Sequence, residues 1–262
     1  MNSLTMLEHE DGVVEVTLNR PEIHNAFDDQ LIAEITTTFQ ALAKDDAVRV
    51  VILSSEGRSF SAGADLNWMR RMADFSEEEN FEDSLKLAEC MYSIYQMPCP
   101  VIAKVQGAAF GGGVGLVACC DIAIASKHAS FCLSEVKLGL IPAVISPYVI
   151  QAMGRRQAQR YFVSAEKFNA NQAKRMGLVT DVLEAELLND HVMALAKQIA
   201  SNGPEAVIAA KRLINTVANQ AINQTLNTQT ARTIAQIRAS EQGKEGVSAF
   251  LGKRTPDWLE DE

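Results

Sequence analysis

The stretch that most restricts the fold is Gly107-Ala108-Ala109-Phe110-Gly111-Gly112-Gly113-Val114-Gly115-Leu116-Val117-Ala118-Cys119-Cys120-Asp121, which follows an apolar run and opens an apolar helix. Glycines let backbone N–H groups come close to a ligand, and the first N–H groups of a helix have no partner within it. Together they supply a site for an anion, or for an oxygen that gains negative charge. The same residues also suit a tight strand-to-helix turn that needs positive φ, so the stretch alone leaves both readings open.

The flanking segments place it inside an α/β chain. Leu4 to Glu8 and Val13 to Leu18 are short β-rich runs around Glu10-Asp11-Gly12, a hairpin signal. Asp28 can cap a helix with Leu31, Ile32, Ile35, Phe39 and Leu42 at helical spacing, and Val48 to Leu53 is a continuous apolar strand of buried type. Ser54 to Gly63 reads as a small-residue loop and Ala64 to Met69 as the start of a short helix. Ser76-Glu77-Glu78-Glu79 is a capping box opening a helix that stops at Pro98. Val101 to Val105 is a buried strand, Ile122 to Ala125 and Ser130 to Leu133 are two more, and Ser134 to Pro142 is an ordered loop. From Ile145 the pattern is helical over Val149 to Met153, Arg155 to Val163, Ala170 to Met176, Ala185 to Ala200, Pro204 to Asn219 and Asn223 to Ser240, with Val179 to Val182 as a short strand. An α/β body is thus followed by a helical C-terminal part.

Composition narrows the partners. With 24 basic against 33 acidic side chains the formal charge is −9, which disfavours nucleic acid and anionic membranes. An anionic ligand needs a local basic cluster. The five cysteines sit in apolar stretches without ligand-like spacing, as free buried thiols of a reducing compartment do. Met1 to His9 has neither a secretory nor a transit pattern, and no apolar run is long enough to span a bilayer. A cytoplasmic enzyme of a prokaryote, or a chain already processed, fits these features.

Several chemistries drop out. No Gly-Lys-Ser/Thr follows the glycines and no GxGxxG with a later acidic residue is present, which argues against nucleotide triphosphates and dinucleotides. GxSxG is absent, and His9, His24, His128 and His191 are scattered with no HExxH pair. Glu135 is more informative. It lies between Phe131-Cys132-Leu133 and the apolar run from Leu138 to Pro142, so it is either a solvated loop residue or a partly buried acid able to take and give protons.

Five ordered motifs carry a resemblance over nearly the whole chain. They are Leu18-Asn19-Arg20-Pro21 with Asn25-Ala26; Ser59 to Leu66; Gly107 to Asp121; Ser134 to Pro142; and Gly246 to Leu251 with Lys253-Arg254. Together they resemble the crotonase superfamily, the enoyl-CoA hydratase/isomerase family. The resemblance implies an α/β fold, a crotonase-like ββα superhelix of two roughly perpendicular sheets wrapped by helices. It further implies a core over 1–200, a helical trimerisation region over 201–262, and a homotrimer or homohexamer. It places the N–H groups of Ala64 and Gly112 on a thioester oxygen and Glu135 as general acid/base. Glu22, His24, Ala26, Ala62, Asp65 and Leu66 fall around coenzyme A, with Lys253 and Arg254 near its phosphates, the alternative for these two cations being a solvated tail. Coenzyme A is part of the acyl-CoA substrate, and neither a metal nor a redox cofactor is implied.

The chain departs from the family pattern at Gly115, where typical hydratases carry the first of two catalytic glutamates. A single carboxylate suits a Δ3,Δ2-enoyl-CoA isomerase, or a hydratase in which another group orients the water or the substrate brings its own carboxylate. Gly-Gly-Gly-Val-Gly with Ile141-Pro142-Ala143-Val144-Ile145-Ser146-Pro147 resembles the bacterial methylglutaconyl-CoA hydratase subgroup of leucine degradation. The expected activity is therefore hydration of a 3-branched, carboxylate-bearing enoyl-CoA such as 3-methylglutaconyl-CoA. Isomerase activity is the alternative, and a noncatalytic CoA- or RNA-binding member of the fold is a third class.

Overall fold

The computed structural model describes residues 3–259. Residues 1–2 and 260–262, at the outer ends of the two expected ranges, lie outside the described residues. Strands β1 (Leu4–Glu8) and β2 (Val13–Leu18) form the expected hairpin, antiparallel from Leu4 opposite Leu18 to Glu8 opposite Val14. Helix α1 (Asp29–Leu42) follows, its first turn held by the Asp28 carboxylate, which accepts the Leu31 N–H at 2.9 Å. The helical row Leu31, Ile32, Ile35, Phe39 and Leu42 is buried, and fully burying side chains of this size contributes about 1.5–3 kcal/mol each.

The chain then lays one strand in each of two sheets and returns through helix, three times over. The first unit is β3 (Val50–Ser55) and β4 (Ser59–Ser61) with α2 (Leu66–Met72) and α3 (Glu77–Tyr95). The second is β5 (Val101–Val105) and β6 (Ala108–Phe110) with α4 (Gly112–Cys119). The third is β7 (Ile122–Ser126) and β8 (Ser130–Cys132) with α5 (Ser146–Ser164). After β9 (Phe168–Asn169), α6 (Ala170–Met176) and β10 (Asp181–Leu183) come α7 (Ala185–Ala200), α8 (Pro204–Val217), α9 (Gln224–Ala239) and α10 (Glu241–Gly252). The larger sheet has the order β1-β2-β3-β5-β7-β10 and is parallel apart from β1. The smaller has the order β4-β6-β8-β9, with β4, β6 and β8 parallel.

Both faces of the larger sheet are covered, which is why its strands read as continuous apolar runs. Val14, Val16, Leu18, Val51, Leu53, Val101 and Val105 join a core with residues of α1, α3, α4 and α5. On the other face Val13, Val50, Ile52, Ile102 and Ile124 pack against Leu188, Val192, Ala196 and Ala200 of α7. Beyond α7 the character changes: α8 and α9 bury no residue in this chain. Helix α8 is pinned by the Lys211 ammonium, 2.6 Å from the Asp121 carboxylate and 3.0 Å from the Cys99 carbonyl.

The structure corrects several local expectations. The segment expected as a loop from Ser54 to Gly63 contains β4, the glycine stretch contains β6, and the second sheet gains β9. Strand β3 begins at Val50, because Val48 closes a turn on Asp45. The two helices expected on either side of Gly154 are one element broken there, where φ is +76°. Ser240 ends α9 and caps the unanticipated α10 by accepting the Gly243 N–H at 3.0 Å. All five cysteines are free, with Cys120 half-buried and the others buried; burial pushes the Cys90 thiol up to about 12 and the Cys99 thiol up to about 11. Among the described residues no helix is long and apolar enough to cross a membrane.

Candidate functional site

Three segments that each follow a strand of the smaller sheet converge at one end of it. Ala64 lies beyond β4, Gly112 beyond β6 and Glu135 beyond β8, and these strands are adjacent and parallel. Adjacent strands lie about 4.8 Å apart, so the sheet sets the spacing of the segments.

The first segment is held by the loop before α1. Asn25, fully buried in a left-handed conformation, accepts the Arg20 N–H at 2.8 Å and donates to the carbonyls of Glu56 and Ser59 at 2.8 and 2.9 Å. Ser61 Oγ donates to the Asn25 carbonyl at 2.8 Å. The loop therefore sits rigidly on β4. Phe27 then makes a parallel bridge to Ala64: its N–H donates to the Gly63 carbonyl and its carbonyl accepts the Asp65 N–H, both at 2.7 Å. Groups of successive residues in such a ladder point to opposite sides, so the Ala64 N–H faces away from Phe27. Among the described residues no acceptor takes it.

The second donor comes from the opening of α4. Gly111 (φ +51°, ψ −120°) adopts a conformation open to glycine and costly to other residues, and its N–H is fixed by the Cys132 carbonyl at 2.9 Å. The Gly112 N–H, at the first position of the helix, has no carbonyl within it to bond. The glycines are also needed for approach. A Cβ on Gly63 would lie 2.9 Å from the Phe110 carbonyl oxygen and 3.8 Å from Gly111 Cα, and one on Gly112 would enter the Phe27 ring at 2.6 Å. The two glycine turns are thus pressed together, and among the described residues the Ala64 and Gly112 N–H groups have no acceptor. Of the two readings of the glycine stretch, the tight turn is present at Gly111, and it leaves the Gly112 N–H free of a helical acceptor.

Glu135 opens a 3-10 turn after β8 that Gly139, at φ +73°, closes; the Leu140 N–H returns to the Glu135 carbonyl at 3.1 Å. Its Oε1 lies 3.4 Å from where a Gly111 Cβ would stand, so the carboxyl sits directly against the donor turn. Its Oε2 is enclosed and has no hydrogen-bond partner among the described residues. A half-buried carboxylate so placed is disfavoured by desolvation, and burial pushes the Glu135 pKa up, opposed in part by its own backbone N–H. This resolves the sequence ambiguity in favour of a partly buried acid placed beside the two donors.

The other side of α4 is hydrocarbon. Gly115 has no side chain, and a Cβ there would lie 2.2 Å from Ile145 Cγ2 and 3.3 Å from Met91 Cε, both buried. Its position is filled, so a carboxylate carried by a substrate does not find an empty glutamate slot there. Ile145, quoted in the sequence as part of the Ile141 to Pro147 motif but given no role there, stands at the N-cap of α5.

The remaining expected residues divide. His24, Ala26, Ala62, Asp65 and Leu66 lie along the two bridged segments. The Ala62 N–H donates to the His24 carbonyl at 2.9 Å, the Asp65 carboxylate caps α2 at 2.8 Å from the Asn67 nitrogen, and Ala62 and Leu66 are exposed. His24 Nδ1 is 3.1 Å from Ser59 Oγ, and Glu22 is exposed in the preceding 3-10 turn. Lys253, by contrast, ends α10 in the C-terminal layer, and among the described residues no hydrogen bond or ion pair joins it to these segments. Its neighbour Arg254 is engaged by the Glu245 carboxylate at 2.6 Å through both guanidinium ends, which holds the Glu245 pKa at about 2.

Comparison with known proteins gives the family. The family model described as "Enoyl-CoA hydratase/isomerase" matches residues 8–261. The 2,3-dehydroadipyl-CoA hydratase of Escherichia coli is 32% identical over 97% of each chain. The 1,2-epoxyphenylacetyl-CoA isomerase of the same organism is also 32% identical over 97% of each chain. Among solved structures, an enoyl-CoA hydratase from Shewanella pealeana is 42% identical, with a TM-score of 0.94 over 98% of this chain and 96% of that one.

Proposed function

The chain belongs to the enoyl-CoA hydratase/isomerase family, and from that premise we propose that it adds water to, or removes it from, an enoyl-CoA whose acyl group is branched at C3 and carries a distal carboxylate, such as 3-methylglutaconyl-CoA. The observation that carries the chemistry is the convergence of the Ala64 and Gly112 donors with a carboxyl whose Oε2 is buried and unpartnered.

In this reading the two N–H groups receive the thioester oxygen. Ionised Glu135 takes a proton from water as the water oxygen bonds to Cβ, and the electron pair of the double bond moves to give an enolate on the thioester oxygen. Neutral Glu135 then returns a proton to Cα, so that H and OH have been added and the carboxylate is restored. The donors bind the enolate more strongly than the starting carbonyl, and losing one of them raises the barrier by roughly 3–4 kcal/mol. No metal or redox cofactor enters these steps, and coenzyme A arrives as part of the substrate.

His24, Ala26, Ala62, Asp65 and Leu66 are the proposed contacts of the pantetheine and adenine, with Glu22 beside them. Support comes from their joint position along the bridged segments that also carry Ala64. Lys253 is proposed for the phosphates through a neighbouring subunit, since within its own chain it stands apart. A trimer or hexamer formed through residues 201–262 is supported by the outer face of α10, where Val247, Phe250 and Leu251 are 59%, 82% and 75% exposed. The carboxylated substrate rests on the resemblance at Ile141 to Pro147. It is also in keeping with the name of the dehydroadipyl-CoA relative, which describes an acid at the far end of the acyl chain.

The apolar filling beside Gly115 favours one second reading. A 3-enoyl-CoA could lose a Cα proton to Glu135 and regain it at Cγ, an isomerisation that needs no second acid/base. Turnover of a panel of enoyl-CoAs in labelled water distinguishes the two. Preferred hydration of 3-methylglutaconyl-CoA over crotonyl-CoA with label at C3 is expected, whereas strong preference for crotonyl-CoA removes the carboxylated substrate. Double-bond migration without label at C3 establishes the isomerase.

A further inference from the structure

Gly115 stands one turn beyond Gly112 in α4, roughly 4.5 Å along the helix axis. Side chains of a helix lean toward its N-terminus, so any side chain at 115 would lean back over the turn that presents the Gly112 N–H. The space it would need is taken. Besides the 2.2 Å approach to Ile145 Cγ2, a Cβ at 115 would lie 2.9 Å from Ile145 Cβ, an atom bonded directly to the backbone. Ile145 is β-branched and stiff, 3% exposed, and its backbone carbonyl anchors α5 by accepting the Val149 N–H at 3.1 Å. It cannot swing clear as the end of a long side chain would.

We propose that Ile145 is a specificity-determining residue that confines proton transfer to Glu135 by occupying, with Met91, the place from which a side chain at 115 would reach the reacting carbons. The inference rests on the assignment of Gly112 and Glu135 to the site. It makes residues 115 and 145 a matched pair: one can be large only if the other is small. The reacting carbons then have Glu135 as their neighbouring carboxyl, and attacking water arrives from the Glu135 flank.

A double-substitution cycle tests this, using the full-length protein with Gly115→Glu, Ile145→Ala and both together, with thermal melting and crotonyl-CoA hydration as readouts. Gly115→Glu alone is expected to lower Tm by about 5 °C or more and hydration at least tenfold. Adding Ile145→Ala is expected to restore most of the lost Tm and to raise crotonyl-CoA hydration at least tenfold above either single variant. If Gly115→Glu does not fold, Gly115→Ala with and without Ile145→Ala reads the same packing, since the added Cβ alone makes the clash. Losses of Tm that simply add, or a Gly115→Glu protein that melts like the parent, overturn the matched pair. Restored Tm without any gain in hydration overturns the specificity role. Failure of the site assignment itself is read separately, by parent-like activity of Glu135→Gln.

Discussion

The two flanks of α4 present opposite solutions to the same position problem. On one side Glu135 places a carboxyl whose Oε2 is enclosed and has no hydrogen-bond partner among the described residues; on the other Gly115 gives up its side chain and Ile145 and Met91 fill the gap with hydrocarbon. The polar flank gives up stability, because an enclosed carboxylate without a partner is disfavoured, and in the proposed mechanism it gains a proton carrier. The hydrocarbon flank is stable and chemically inert. The difference teaches that this site is asymmetric by packing, and that activity and stability should respond in opposite directions on its two sides.

The largest effect is expected at the polar flank. Glu135→Gln should lower kcat/KM by about 10²- to 10⁴-fold while leaving Tm unchanged or raised, measured by hydration kinetics and thermal melting. Near-normal turnover would break the comparison at its root. On the hydrocarbon flank Met91→Ala should act the other way round, costing about 2–5 kcal/mol of stability in chemical denaturation, with kcat/KM of the folded enzyme falling less than tenfold.

The pH dependence sharpens the same contrast. Burial raises the Glu135 pKa in the folded state, so the folded protein holds this proton more tightly than the unfolded chain does. Below the ordinary carboxylate value both states are protonated and nothing is lost. As pH rises from that value through the raised one, Glu135 withdraws stability, and Glu135→Gln should gain relative to the parent over that interval. The acid limb of kcat/KM should fall at a pH above the ordinary carboxylate range, where the base becomes protonated. A limb at the ordinary value, or melting curves of parent and variant that track each other with pH, would show that the flank is solvated. The smallest effect is expected furthest from either flank: Lys253→Ala should raise KM for the CoA thioester about two- to fivefold at low salt and leave kcat unchanged, as an exposed cation facing a phosphate would.

What the sequence disclosed follows the length of each signal. The hairpin, α1 with its Asp28 cap, the Ser76 capping box and strands β3, β5 and β7 were legible, because five or more residues repeat a pattern or a cap has a fixed side-chain chemistry, whereas the three-residue β10 lies at Asp181–Leu183 and not over Val179 to Val182. Of the smaller sheet only β8 was legible, expected over Ser130 to Leu133; β4 and β6 have three residues each and β9 two, too few for alternation to register, and their pairing is decided by neighbours distant in the chain. Glu135 could be singled out by its apolar flanks, but its burial needed the turn after β8. The motifs holding Gly115 and Ile145 were paired in the sequence, but their contact was not legible, since a missing side chain gives no hint of which distant residue takes its room.

The donors and the acid are mounted on three successive rungs of one parallel ladder. Their separation is a pitch inherited from backbone pairing, whereas the room beside Gly115 is closed by buried side chains of α3 and the start of α5. Exchanging Met91 or Ile145 therefore perturbs the packing of the core while the ladder keeps the spacing of the three segments. Engineering of this scaffold should treat the ladder as the gauge that is left untouched.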